Sequence, residues 1–497
     1  MSIKFIGVDS DFTGQEDGDR SSLRNELRTL LNSWGLDLPS DLDDDASLIT
    51  SGFFDSLALF NLILWVEQKI GRRLDPTSVD LIKEWNSIAS IVVYVRRARG
   101  FTDGGRSSPS SKVARSASTS GYRILRYDQS YKRAVADFQT GLWSPDPELN
   151  LRYLEWKYEN NPYADKPRIY LASYRDAIIG MRGFYASLWE TGIPSRQFPV
   201  LVADDLLVRQ DHRNRGLVTR IMQTAYEELR ESGAEFLFNL SGGPLTVLGS
   251  LTTGWRSAGL LNPMGHRSFS GGLYRRMRRS LSHLPYLWRY ARSQFVYHPT
   301  EWYPFSRLDR LQTRFTKKAE LGIEIDNRPR SKAMAELIKR LGHDGRLRHV
   351  RDERYFDWRF CNPLREYRFL FIWGDVLDGY LVLSRSIGTS EPSSRVCISD
   401  LEAVNSRVQA ALLKAAVSEG DFSELVVWTA TANAAMQNQV RALGFGPIDH
   451  DRSFSGLPCF LVRPIKNERL DQEWRLGETQ LLDLLNWDIR MLYSMAS

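Results

Sequence analysis

The chain has 497 residues, enough for about three domains, and its 42% hydrophobic content is sufficient for ordinary folded cores. Its net charge of +6 is uneven, because the first hundred residues hold 11 basic and 16 acidic residues and the remainder holds 55 and 44. Three well-separated cysteines without metal-ligand spacing argue against a disulfide scaffold or a metal centre, and the absence of long apolar runs leads us to expect a cytoplasmic protein without a membrane span.

Residues 21–99 predict a helical domain. Apolar residues recur at helical spacing in four segments, 22–34, 57–70, 79–83 and 87–97. The motif Ser-Gly-Phe-Phe-Asp-Ser-Leu, residues 51–57, places Ser56 at the start of the second helix, where free N–H groups favour a phosphate ester. Simple N-capping by Asp55 or Ser56 is the alternative interpretation.

This stretch resembles an acyl or peptidyl carrier protein, in particular the branch with the pattern S-G-x-x-D-S-L. The resemblance covers about the first hundred residues and implies an all-α four-helix carrier bundle. Ser56, between Asp55 and Leu57, would then bear 4′-phosphopantetheine attached by a separate phosphopantetheinyl transferase. A helical domain without this modification is the alternative.

Residues 100–120 predict a flexible linker, since 101–120 contain seven Ser, two Thr, two Gly and one Pro. A coil of this length spans roughly 25 Å on average, which would let a carrier reach a site on its own chain. The acidic N-terminal region and the basic remainder favour electrostatic docking of one on the other.

From residue 121 onward, strand and helix patterns alternate. Strands are predicted at 122–127, 168–173, 178–185, 199–208 and 236–240, and helices at 132–141 and 217–232. An internal repeat aligns YLEWKYENNP, from residue 153, with YFDWRFCNP, from residue 355. Each copy closes on a glycine with an apolar neighbour, which we take as Gly259 and Gly444. We therefore predict two α/β domains, at 121–310 and 311–497.

The segment VRQDHRNRGLV, residues 208–218, connects a predicted strand to a helix. Successive N–H groups in such a turn form an anion nest at the positive end of the helix. Gly216 permits close backbone approach to a pyrophosphate, and Arg213 and Arg215 supply charge. An ordinary basic turn is the alternative.

The turn resembles the R-x-x-G-x-G/A turn of GNAT-type N-acyltransferases, with Val218 in place of the final Gly or Ala. The resemblance implies that CoA or acyl-CoA is held by a run of strand, turn and helix residues: Leu207, Val208, Arg213, Asn214, Arg215, Gly216, Leu217 and Val218. The preceding strand carries Asp204 and Asp205, one of which would be the base that deprotonates an amine. Strand alternation predicts opposite faces for the two carboxylates.

In this family a tyrosine acid often stands four residues before the closing glycine, where this chain has Trp255 and Val440. His212, beside the turn, is expected to be a solvent-exposed loop residue. The second copy reaches its helix without an Arg-x-x-Gly pair. We expect it to be degenerate and to complete a cleft between the two copies where the amine enters.

Together the patterns predict a multidomain protein, with an all-α four-helix carrier bundle followed by two α/β (α+β) GNAT-like domains. It would be an acyltransferase that moves an acyl group between a phosphopantetheine thioester, on its own carrier or on CoA, and a small-molecule amine acceptor. The product would be an amide, in natural-product or cell-surface biosynthesis, and a separate acyl-loading ligase or synthase would charge the carrier.

Three alternatives remain open from the sequence. The enzyme could load its own carrier thiol from CoA, as GNAT loading domains of polyketide assembly lines do, or it could be a non-catalytic carrier scaffold. The basic, aromatic-rich segment 275–318 could bind nucleic acid or an anionic membrane surface. We interpret it as a connection whose basic face meets the carrier, and expect no nucleic-acid partner.

Overall fold

The computed structural model describes residues 12–34, 42–49, 53–54, 56–72, 74, 76, 79–100, 121–213, 215–241, 243–267, 322–387, 395–419, 422–448, 459–465 and 474–495. The linker predicted at 100–120, apart from residue 100, and the basic segment 275–318 lie outside these ranges. Within them, no helix combines the length and the apolar composition needed to cross a bilayer.

The N-terminal region is helical, as predicted. Its elements in the described residues are α1 (Phe12–Ser33), α2 (Ser56–Ile70), α3 (Leu81–Glu84) and α4 (Ile88–Ala98). Helices α1, α2 and α3 all contact α4, and core residues such as Leu27, Leu62 and Val95 are fully buried. The helix predicted at 22–34 begins ten residues earlier, at Phe12.

The first lobe is a twisted sheet with helices on both faces. Its own strands are β1 (Tyr122–Arg126), β2 (Arg168–Tyr174), β3 (Ala177–Thr191), β4 (Arg196–Val208), β5 (Phe236–Asn239) and β6 (Arg256–Leu260). On one face lie α5 (Lys132–Phe138) and α6 (Pro147–Leu154), and on the other α7 (Leu217–Leu229) and α8 (Pro244–Leu251). Neighbouring strands are antiparallel except β4 and β5.

The second lobe repeats this plan. Its strands are β8 (Ile323–Asp326), β10 (Arg365–Trp373), β11 (Leu377–Ser386), β12 (Arg395–Ala403), β13 (Glu424–Trp428) and β14 (Gly446–Pro447), and its helices α9 (Ser331–Leu341), α10 (Glu353–Arg359), α11 (Ser406–Glu419) and α12 (Ala434–Ala442). A short strand, β9 (Arg348–His349), pairs with β3 of the first lobe. The C-terminal segment 474–495 contains the small ribbon β16 (Arg475–Leu476) and β17 (Thr479–Gln480).

The two lobes exchange one strand each. The first sheet has the order β1-β2-β3-β4-β5-β15-β6, in which β15 (Cys459–Pro464) comes from the second copy. The second sheet has the order β14-β7-β13-β12-β11-β10-β8, in which β7 (Pro263–Arg267) comes from the first copy. Neither sheet is therefore complete without the other half of the chain, a feature that the division near residue 310 did not anticipate.

The faces of the two sheets that carry α6 and α10 pack on each other in one aromatic core. Trp189 and Phe238 of the first lobe contact Trp487 of the C-terminal segment, and Tyr185 donates a hydrogen bond to the carbonyl oxygen of Tyr493. The sequence led us to expect a cleft between the copies. In the described residues, the C-terminal segment packs into part of the space between the copies.

Candidate active site

The strands β4 and β5 diverge in the middle of the first sheet. They pair only at Leu201 with Leu237 and at Val202 with Phe238, after which β4 continues to Val208 and β5 ends at Asn239. From Ala203 onward, the edge of β4 that faces β5 has no strand partner among the described residues. Its backbone N–H and C=O groups can therefore pair with an extended ligand.

The predicted donor turn lies at the far end of this open edge. Gly216 adopts φ 64°, in the left-handed region that glycine favours, and α7 begins directly after it with no side-chain cap. Arg213 and Arg215 are exposed, and Asn214 lies outside the described residues. Leu217 is buried and Val218 half-buried against the core. The turn therefore presents free helix N–H groups and two arginines.

His212 stabilises the turn from inside. It is buried, not exposed as the sequence suggested, and it hydrogen-bonds Tyr122 of β1 at 2.9 Å through Nδ1. Because the Arg209 guanidinium can only donate to Nε2, the proton of the neutral ring must lie on Nδ1. The turn is thereby anchored to β1.

Asp204 and Asp205 lie at the other end of the open edge, beside Lys157. The Lys157 ammonium is 2.7 Å from Asp204 Oδ2 and 2.9 Å from Asp205 Oδ1. Ser241, just beyond β5, donates to Asp204 Oδ1 at 2.8 Å. Tyr158 donates to Asp205 Oδ2 at 2.6 Å. The side chain of Asp204 is 7% exposed, whereas those of Asp205 and Lys157 are fully buried.

Both carboxylates reach the same side of β4, so the expectation of opposite faces was wrong. Asp205 has φ 54°, and the pairing of β3 with β4 shifts register between Gly183 and Met181. This bulge interrupts the alternation of side chains and turns Asp205 toward Lys157. The pair therefore shares one ammonium.

The charges of this cluster depend on burial. Burial lowers the pKa of the Lys157 ammonium, but the two carboxylates outweigh it and the pKa is raised. Burial raises the pKa of Asp205, Lys157 opposes this and Asp204 adds to it. Burial and then Asp205 raise the pKa of Tyr158 well above its usual value, so its hydroxyl stays a donor. With both carboxylates ionised, the three charged groups carry one excess negative charge.

Lys157 and Tyr158 were missed in the sequence analysis. They occupy a π-helical turn, Glu155–Glu159, which continues α6, and such turns are frequent at functional sites. Gly183 makes room for the tyrosine, because a Cβ at that position would lie 1.9 Å from the Tyr158 hydroxyl. The repeat itself offered a usable signal, because the alignment of the two copies puts Lys157 and Arg359 at the same position and so indicates a cation in both.

The glycine that closes the first copy is Gly254, not Gly259. Gly254 follows α8 with φ 87°, as Gly444 follows α12 with φ 83°, and the next residues, Trp255 and Phe445, are both buried. The position four residues earlier is then Ser250. Trp255 is fully buried and donates to the Tyr226 hydroxyl at 3.0 Å, so it has no role as an acid.

The carrier motif is only partly described. Ser56 is the first residue of α2, while the side chains of Ser56 and Leu57 and the whole of Asp55 lie outside the described residues. Helix α2 packs against α8 of the first lobe. An ion pair of 2.8 Å between Asp80 and Arg256 also joins the helical region to that lobe.

The second lobe differs at the equivalent place. Its strands β12 and β13 also stop pairing, after Cys397 and Val426, but Met491 of the C-terminal segment packs there. Only two residues separate β12 from α11, too few for the longer turn of the first lobe. The second copy therefore lacks the longer strand-to-helix turn that the first copy has.

Residues 134–242 match the acetyltransferase (GNAT) family, and a comparison with curated proteins returned no match. Among solved structures, the chain is similar to a tandem GNAT protein from the clavulanic acid biosynthesis pathway, with 13% identity, 70% of this chain and 100% of that chain covered, and a TM-score of 0.42. It is also similar to a GCN5-related N-acetyltransferase from Kribbella flavida, with 11% identity, 69% of this chain and 71% of that chain covered, and a TM-score of 0.43. A GCN5-related N-acetyltransferase from Anabaena variabilis gives 11% identity, 69% of this chain and 73% of that chain covered, and a TM-score of 0.42. The family match includes β4, both carboxylates and the donor turn. Residues 134–242 are therefore a GNAT-type acetyltransferase domain, and the chain is an acyltransferase.

Proposed function

We propose that this protein transfers an acyl group from a phosphopantetheine thioester to an amine, giving an amide. The divergence of β4 from β5 carries this proposal, because it leaves an open strand edge between the Arg213–Gly216 turn and the Asp204–Ser241 pair. The two amides of a pantetheine arm can pair with that edge like an added strand. Its phosphate then lies at the N-terminus of α7 and its thioester near Asp204.

Asp204 is the base in this proposal. An ammonium must lose a proton before its nitrogen attacks the thioester carbon. Ser241 can accept the proton of the amine while it passes its own hydrogen to Asp204 Oδ1. The C–N bond forms, the C–S bond breaks, and the thiolate leaves and takes up a proton. Asp205, fully enclosed by its partners, only holds Lys157 and Tyr158 in place.

We place the thioester on Ser56 of the chain itself. The start of α2 at Ser56, the packing of α2 on α8 and the Asp80–Arg256 ion pair support this arrangement. A phosphopantetheinyl transferase would attach the arm, and a ligase or synthase of a biosynthetic pathway would load it. Because the pantetheine portion is common to both, CoA would use the same strand edge.

The tethered arm is tested by intact mass. The protein is incubated with CoA and a broad-specificity phosphopantetheinyl transferase, and we expect a gain of one phosphopantetheine in the wild type and none in Ser56→Ala. No gain in the folded wild type would remove the tethered donor and leave CoA as the source of the acyl group.

One observation favours the reverse direction, loading of the phosphopantetheine thiol carried on Ser56 from acyl-CoA. The donor turn exposes two arginines, which suits the pyrophosphate of CoA better than the single phosphate diester of a carrier arm. Incubating the phosphopantetheinylated protein with acyl-CoA in the absence of amine separates the two directions. Stable acylation of the phosphopantetheine thiol on Ser56 supports loading, whereas acyl transfer that requires the amine supports amide formation.

A further inference from the structure

Arg182, on β3, is a buried cation without a partner in the described part of the chain. It is 2% exposed, its Nε has no hydrogen-bond acceptor, and no described side chain or carbonyl forms an ion pair or hydrogen bond with the guanidinium. A guanidinium remains protonated even when buried. A buried guanidinium without a hydrogen-bonded acceptor is costly, so its presence points to an anion that completes the site.

Arg182 lies on the face of the sheet that carries α7. Its guanidinium carbon is 5.8 Å from the ring of Phe184, which belongs to the same core as α7. Two residues earlier on the same face, a Cβ on Gly180 would contact Ile221 of α7 at 3.5 Å. Gly183, which lies between Arg182 and Phe184 in β3, faces Tyr158 on the opposite side of the sheet. Arg182 and the Lys157 cluster therefore lie on opposite faces.

Along the strand direction, Arg182 lies at the same level as Asp204, which stands at the end of the open β4 edge where the proposed reaction takes place. Its neighbour Gly183 pairs with Asp204, and the Asp204 carboxylate is the largest influence that offsets the lowering of the Arg182 pKa by burial. Helix α7, which covers this face, begins at the donor turn. A donor arm that runs from Gly216 toward Asp204 therefore ends at the level of Arg182 along the sheet.

We propose that Arg182 binds a carboxylate at the far end of the acyl group, so that the donor is a dicarboxylic acyl thioester of the succinyl or malonyl class. This inference rests on the proposed function, because it uses the same donor path. A guanidinium can hold a carboxylate through two parallel hydrogen bonds, which neutralises the buried charge and orients the chain. A carboxylate on the amine acceptor has the same chemistry and is separated by the experiment.

The test measures binding and transfer of succinyl-CoA, malonyl-CoA and the uncharged pentanoyl-CoA by the full chain. We expect the wild type to favour succinyl- or malonyl-CoA over pentanoyl-CoA by at least about tenfold, since a site built for a polar group rejects an analogue that lacks it. Arg182→Met should abolish the preference, and Arg182→Lys should retain part of it. Arg123→Met, an exposed arginine of β1 paired with Asp176, is the matched control and should keep the preference.

Melting temperature gives a second readout. Without ligand, Arg182→Met should melt above the wild type, because an unpaired buried charge is removed. Equal binding of charged and uncharged donors by the wild type overturns the inference and leaves the donor site intact. Failure of every thioester to bind, on CoA or on Ser56, overturns the proposed function as well. Discrimination among amines with and without a carboxylate, but not among donors, overturns the assignment to the acyl group.

Discussion

The indole N–H of Trp156 donates to the carbonyl oxygen of Trp358 at 2.7 Å, and Trp358 donates to the carbonyl oxygen of Trp156 at 2.9 Å. Their rings stack with centroids 4.8 Å apart and planes 12° apart. The two residues occupy matching positions in the two copies of the repeat. The lobes therefore meet through a self-complementary contact, like the two halves of a symmetric dimer.

Replacing Trp358 by Phe should destabilise the protein by about 2–3 kcal/mol, because it leaves the carbonyl of Trp156 unpaired in the core and opens a gap between the lobes. Urea unfolding measures the change. Trp373→Phe, at a position 41% exposed, is the control and should cost well under half as much. Equal losses in both variants would show that the stacked pair does not hold the lobes together.

The exchange of β7 and β15 predicts that neither lobe folds alone. A fragment of residues 1–290 lacks the strand between β5 and β6, and a fragment of 291–497 lacks the strand between β13 and β14. We expect each fragment to be insoluble or unfolded when expressed alone and the two to form a folded complex when expressed together. Cooperative thermal unfolding of the first fragment by itself would contradict the exchange.

Gly183→Ala should reduce kcat by more than about tenfold, since the added methyl displaces the Tyr158 hydroxyl from Asp205 and loosens the cluster that positions Asp204. Gly446→Ala has no atom within 4 Å of the added Cβ and is the matched control. Donor binding should change little in either variant, because the turn at Gly216 is untouched. An unchanged kcat in Gly183→Ala would mean that Tyr158 does not position the carboxylates.

His349, in the core between the lobes, should make stability fall in mild acid. Burial lowers its pKa from 6.5 to about 3, and Arg351 adds to this effect. Between these two values the unfolded chain binds a proton that the folded chain excludes, so stability is lost as the pH falls below 6.5.

From pH 7 to pH 5 this contribution is about 2 kcal/mol. The measurement compares urea unfolding of the wild type and His349→Asn at both pH values. The asparagine stays uncharged and retains a donor for the carbonyl of Val350, to which the His349 Nδ1–H donates. We expect the variant to lose about 2 kcal/mol less than the wild type. Parallel losses would show that His349 does not titrate as the structure requires.

The parts of the site that depend on local backbone patterns could be predicted from the sequence. Gly216 and Arg213 stand at a strand-to-helix turn, and the periodicity of both flanking elements is regular, so the turn was located correctly. The face of Asp205 could not be predicted, because its positive φ arises from the bulge opposite β3. Lysine is usually exposed, and the burial of Lys157 depends on carboxylates 47 and 48 residues away.

The exchange of strands between the lobes could not be predicted from the sequence either. The apolar pattern of β15 does not say which sheet it joins, because each sheet has a gap between the fifth and sixth of its own strands. Which gap β15 fills depends on the path of the connecting chain and on the packing of the two lobes, not on the strand itself. The aromatic repeat thus revealed the duplication but not the way in which the copies share their strands.

The donor turn is the part of the account on which both the transfer and the acyl preference depend, and CoA binding tests it most directly. We would measure the Kd of CoA for the wild type, Gly216→Asn and Gly216→Val. Asparagine tolerates the left-handed conformation of Gly216, whereas a β-branched valine does not. We predict a Kd within about threefold of the wild type for the asparagine variant and at least about tenfold weaker for the valine variant. The same Kd for all three folded proteins would contradict the assignment of this turn as the donor site.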